Sequence, residues 1–239
     1  MSSVESNTAE TLSWATMLNC DNHRRELDAR VKSITALLDA THLSTQGTST
    51  GLNISREARG LAILLLFASY EHLLVMLCQS VLEAALALRV ANRRLRPGLK
   101  LIAAHASLQG LINSTETAIW TGKGLKLIEA LDNRKACSIA TTVFPRDGSF
   151  MKTSQIRVFC DVLGFGDPAP VLRELWPRID TIVTERNKIA HGGATADEIG
   201  RAYSIADTRK LVALWQARWG DFLTWAETSA ASRDFFRVR

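Results

Sequence analysis

Residues 53–94 read NISREARGLAILLLFASYEHLLVMLCQSVLEAALALRVANRR, and no proline interrupts them. The single glycine is Gly60. Nothing in the run stops a helix, and as one helix it would be about 60 Å long. A kink or break near Ser69 is the one interruption to expect. From Leu61 to Leu88 the run is apolar on nearly every face. Such a helix is either a membrane span or the buried centre of a bundle. Glu71, His72, Gln79 and Glu83 recur too often to leave a clean window of about 20 apolar residues. The reading is therefore a central helix with no membrane, buried by its own bundle and by a second subunit.

Toward the N-terminus, Leu27, Val31, Ile34, Leu37 and Leu38 repeat at helical spacing behind Asp21, a candidate cap. Leu43 to Leu52 is polar and bracketed by glycines, hence a linker. Residues 1–52 are read as a helical extension plus linker, 53–226 as the main helical domain and 227–239 as a loose tail. The polar start Met1-Ser2-Ser3-Val4-Glu5-Ser6 has no signal core. Cys20, Cys78, Cys137 and Cys160 are widely spaced, which fits reduced thiols in a cytoplasmic protein and argues against structural zinc. The chain has 239 residues, 46% hydrophobic and 22% charged, with net charge +5. Its pI near 9.2 allows an anionic partner without demanding one.

Past the central helix come Arg89, Arg93, Arg94, Arg96 and Lys100, with no acid between residues 84 and 115. Two readings stand: a solvated helix end, or an edge that contacts RNA phosphates. Helices are expected over 99–113, 124–136 and 154–163, the last stopped by Gly164. A small β-hairpin is expected near 139–151, around Pro145. A final helix, capped by Asp207, carries Leu211, Leu214, Trp215, Phe222 and Trp225. The fold class is all-α, a bundle around one long helix.

The chemistry centres on residues 177–193. Pro177 suits the first helical position, and Ile179, Ile182, Val183 and Ala190 make a stripe. Arg186 falls on that stripe, within about 20° of Ile179. Asn187 and His191 project about 40° apart at its edge, and Gly192-Gly193 ends the helix. An inward arginine either snorkels or meets a buried acid, or it is needed there. Glu71, mid-helix among apolar residues, either pairs with Arg186 or lines a cleft with it, or else is partnered elsewhere or reaches water.

No Gly-rich phosphate loop, His-Glu-x-x-His, Asp-x-Asp or Gly-x-Ser-x-Gly is present. The five histidines, at 23, 42, 72, 105 and 191, show no metal-ligand spacing, so neither metal nor cofactor is expected. An arginine and a histidine can hold a phosphate and move a proton. That suffices for RNA, whose 2′-OH supplies the nucleophile and leaves a 2′,3′-cyclic phosphate.

Arg186-Asn187-Lys188-Ile189-Ala190-His191 at a helix end resembles the signature of HEPN-domain ribonucleases. The long apolar helix with Ala68-Ser69-Tyr70-Glu71, the Leu-Gly-Phe segment at 163–165 and the helix that follows the motif are similar too. The likeness covers roughly residues 54–226. It implies an all-α homodimer whose motif helices meet across the two-fold axis in one composite RNA-cleaving cleft. Arg186 would hold the scissile phosphate, His191 would act as general base or acid, and Asn187 would orient the phosphate or the histidine. Lys188 and the basic run would touch RNA. Members often act as toxins or in anti-phage defence, some with an antitoxin protein. Those silenced by a partner nucleotidyltransferase carry a tyrosine shortly after the histidine, where this chain has Gly192-Gly193-Ala194-Thr195. The alternative is a non-catalytic HEPN-like module that binds RNA or a protein.

Overall fold

The computed structural model describes residues 18–43, 49–112, 114–141 and 151–238. Among them are nine α-helices of six residues or more and no strand, so the chain is all-α. The central element is α2, Ser49–Ala87, which runs unbroken through Ser69. It stops short of Arg94 because the chain turns extended at Val90–Ala91 and into a 3-10 turn at Asn92–Arg94. No break forms at Ser69. Its hydroxyl donates to Leu66 O (2.6 Å) and accepts from Trp215 Nε1 (3.0 Å), so it serves as a hydrogen-bond post inside the core.

Four helices pack on α2: α1 (Asp21–Leu43), α7 (Trp176–Ala190), α8 (Ala196–Arg201) and α9 (Ile205–Ser229). Helix α1 buries Leu27, Val31, Ile34 and Leu38, one stripe at helical spacing, in the same core as α2 and α9. The described part of residues 1–52 thus shares the main core. Cys20, rather than Asp21, precedes the first turn of α1, and its carbonyl accepts from Arg24 N (2.9 Å). Glu227 ties this start to the end of α9, accepting from Cys20 N (2.6 Å) and Arg24 Nη1 (3.0 Å). Likewise Ser204 caps α9 by accepting from Asp207 N, a role expected of Asp207 itself.

By length and composition α2 could cross a membrane, and 56% of its most apolar window is buried within the fold. Its large exposed apolar side chains are Leu52, Ile54, Leu61 and Leu65.

Where α2 meets α8 the backbones touch. A Cβ on Gly60 would lie 1.9 Å from Ala196 O, and one on Gly200 would lie 1.8 Å from Arg56 O. Only glycine at both positions permits this crossing.

The expected helix at 99–113 divides into α3 (Pro97–Ala103) and α4 (His105–Ile112). A π-type turn, Ile119–Lys123, leads into α5 (Gly124–Leu131). Helix α6, Thr153–Leu163, ends at Gly164 with φ 88°. Most of the expected hairpin, residues 142–150, lies outside the described residues, while its described ends, 139–141 and 151, form no strand.

The tail is docked rather than loose: Phe235 and Phe236 are buried. They close an aromatic chain. Tyr70 stacks on Trp219 (5.4 Å, 11°), Trp219 meets Phe222, and contacts continue through Trp225, Phe165 and Phe235. Each such contact adds about 0.5–1.5 kcal/mol beyond burial.

Candidate functional site

Helix α7 carries the motif. Pro177 lies in its first turn, and Ile179, Ile182 and Val183 are buried, fixing this face against α2. Arg186 follows on the same face and is half-buried, as its position on the stripe implies. Its guanidinium lies over the Phe67 ring of α2, with Cζ 4.5 Å from the centroid. Nη1 donates to Asn187 Oδ1 at 3.0 Å. A ring face and an amide oxygen therefore offset the charge.

Among the described residues no carboxylate forms an ion pair with Arg186. Glu71 is half-buried on α2 and makes no direct pair with it. Both groups nevertheless act on Tyr70. Burial pushes that phenol up, Glu71 and Asp180 push it further, and Arg186 opposes them. Tyr70 donates its hydroxyl to Met151 O (2.8 Å).

The other side of α7 is fixed by Tyr203, whose hydroxyl donates to Glu185 Oε2 (2.6 Å). Burial raises the Glu185 carboxyl, against the lowering effect of that bond.

The helix ends as the paired glycines require. Gly193 N donates to Lys188 O (2.8 Å) and Gly192 N to Ile189 O (3.2 Å), with Gly192 at φ 70°. This is a Schellman motif, which satisfies the last carbonyls. It leaves His191 as the C-cap residue, its N–H on Asn187 O (3.0 Å) and its side chain exposed. Lys188 is exposed beside it. Five residues along a helix turn a side chain by about 140°. Arg186 is therefore directed onto α2 and His191 toward solvent, with no hydrogen bond between them.

The basic run divides. Arg89, Arg93 and Arg94 line one recess together with Arg134, Arg233 and Arg237. Arg96 instead stacks on Phe235 (5.2 Å) and donates to Gly164 O (3.3 Å), which pins the tail. Lys100 Nζ donates to Arg93 O (3.0 Å) and braces the turn. The recess and the motif are separate: Phe67 and Ala87 lie about 30 Å apart along α2.

Sequence reasoning missed Phe67, Tyr203 and the three later arginines. The Phe235-Phe236 pair was the available signal, since two adjacent aromatics argue for a docked tail. Among the described residues no three His, Cys, Asp or Glu side chains group as metal ligands would. Comparison with family models, curated proteins and solved structures finds no match.

Proposed function

We propose that the chain is a metal-independent endoribonuclease that cleaves RNA through the 2′-OH, leaving a 2′,3′-cyclic phosphate and a 5′-OH. The observation that carries this reading is Arg186, half-buried at the motif helix end without a carboxylate, held by Phe67 and Asn187. An arginine paired with an acid is already neutralised. One seated on a ring keeps its charge and its remaining N–H donors for a phosphate. Asn187 acts as the orienting residue, through a bond to the arginine.

His191, exposed at the C-cap, supplies proton transfer. Because Arg186 and His191 diverge within one chain, the cleft is composite: a second copy brings its motif helix across a two-fold axis. The resemblance to HEPN ribonucleases supports the same arrangement. It also suggests an effector in toxin or anti-phage systems, with an antitoxin protein as partner and the cytoplasm as its place of action. Without the tyrosine after the histidine, silencing by a nucleotidyltransferase is not part of this proposal.

The test is cleavage of single-stranded RNA by the purified chain in the presence of a chelator. Cyclic phosphate ends are expected, with cleavage lost in both Arg186→Ala and His191→Ala. Cleavage that survives either change removes the site assignment. RNA binding without cleavage points to the non-catalytic module.

A further inference from the structure

Beyond the end of α2 three chain segments are laced together by backbone bonds. The turn after α2 meets the loop after α5 through Asn92 N to Lys135 O (3.3 Å), Arg93 N to Asn133 O (3.2 Å) and Cys137 N to Val90 O (2.8 Å). The tail joins from the other side through Arg96 N to Phe236 O (3.2 Å) and Val238 N to Arg94 O (2.8 Å). Arg233 Nη2 donates to Leu88 O (3.2 Å) and closes the corner. The result is a recess of about 380 Å³ whose polar lining is six arginines: Arg89, Arg93, Arg94, Arg134, Arg233 and Arg237.

Charge balance sets this recess apart. Among the described residues only Asp234 pairs with any of the six, on Arg237 at 3.0 Å. The guanidiniums of Arg89, Arg93, Arg94 and Arg134 make no ion pair there. By contrast, the cavity beside Tyr203 sets Asp207 against Arg178 and Lys210. Like charges facing one volume repel, and an anion relieves that repulsion. Arg89 is also held at φ 50°, a conformation side chains other than glycine rarely adopt.

We propose that this recess binds a polyphosphate group: two or more adjoining phosphates on one ligand, carried by a nucleoside polyphosphate or by the 5′-triphosphate end of an RNA. Guanidinium forks match phosphate oxygens in pairs, and a single phosphate offers too few oxygens for this many forks. Among the described residues the only other lining ones are Val90 and Ala91. With no aromatic ring to stack a base, the recess reads phosphate and leaves any base outside. A strand bound along its backbone would need an extended track instead. The site is independent of the RNA-cleavage reading and lies far from its motif.

The test is calorimetric titration of the full chain with inorganic tripolyphosphate at about physiological ionic strength. Saturable binding is expected, with orthophosphate far weaker. Arg93→Ser and Arg134→Ser should each weaken it by about tenfold. Arg89→Gly suits the positive φ, so it should weaken binding without lowering the thermal midpoint. Competition by a nucleoside triphosphate or by a short 5′-triphosphate RNA identifies the natural source, and the same RNA with a 5′-hydroxyl should not compete. Tripolyphosphate binding no tighter than orthophosphate, binding unchanged in Arg93→Ser/Arg134→Ser, or equal competition by 5′-hydroxyl RNA overturns the proposal. Arg186→Ala leaves this titration unchanged, so its result is separate from that of the cleavage assay.

Discussion

Arg186 rests its charge on the face of Phe67, not on a carboxylate, and this separates its contribution to stability from the chemistry proposed for it. A cation over a ring stabilises by about 0.5–2 kcal/mol. Arg186→Met keeps an apolar stem over Phe67, so its loss of stability should stay within that range by urea denaturation. The proposed RNA cleavage should fall by about 100-fold or more in the same variant, because the charge proposed to hold the phosphate is gone. Arg186→Lys keeps a charge but not the fork, and it should recover only part of the rate. If Arg186→Met instead loses several kcal/mol, the arginine is a structural residue and the motif reverts to an ordinary helix end. The inward direction of Arg186 was legible in the sequence, since Ile179 lies two turns before it on a buried stripe. Its partner was not. A stripe says which face is buried and nothing about what meets it, so Phe67 and the failure of Glu71 to pair became visible only once α7 was laid on α2.

At the scale of the elements, the α2–α8 crossing is held at backbone contact. A methyl group at Gly60 or Gly200 would sit inside a backbone carbonyl of the other helix. A flexible side chain could give way; a backbone cannot without separating the helices. Gly60→Ala and Gly200→Ala should therefore each lose about 1–3 kcal/mol or more by urea denaturation, although alanine is the better helix former. Gly220, within α9, has nothing within 4 Å of its would-be Cβ. Gly220→Ala should gain about 0.5–1 kcal/mol. Opposite signs for the same chemical change are the result to look for, and a gain at Gly60 would refute the close crossing. The central helix was readable because its apolar run is long and unbroken. Gly60 was visible too, but only the position of α8 explains it. The ends of elements were less legible. Ser204 and Cys20 sit where Asp207 and Asp21 were expected to cap, because several polar or small neighbours compete for one N-cap and tertiary bonds such as Glu227 to Cys20 decide.

At the scale of the whole molecule, α1 is fastened to α2 and α9 by groups that titrate, so its docking should respond to pH. His23 of α1 is buried and lies 3.3 Å from Ser80 Oγ of α2. Burial lowers its pKa from 6.5, with Glu227 acting to raise it and Arg24 to lower it further. His72 of α2 is lowered from 6.5 as well, first by burial and then by Arg30. A histidine that resists protonation in the fold leaves the unfolded chain binding more protons in mild acid. Its contribution is thus fully present above about pH 6.5 and declines as pH falls below that value. Glu227 forms a second step. Its hydrogen bonds from Arg24 hold the carboxyl below 4.5, so its contribution persists until pH falls under that value and is then lost. Unfolding free energy measured across pH should be flat near pH 7 and fall in two stages. Each titrating group can contribute a slope of at most about 1.4 kcal/mol per pH unit. His23→Gln should reduce the upper stage to the part that His72 contributes and spare the lower. Arg24→Met should flatten the lower stage at some cost in stability at neutral pH, since a partly buried Glu227 loses its partner. Stability that stays constant from pH 7 down to pH 5 would show that neither histidine is held neutral by the fold. The pH-sensitive part of the docking of α1 would then be the Arg24–Glu227 pair, beside the buried Leu27, Val31, Ile34 and Leu38.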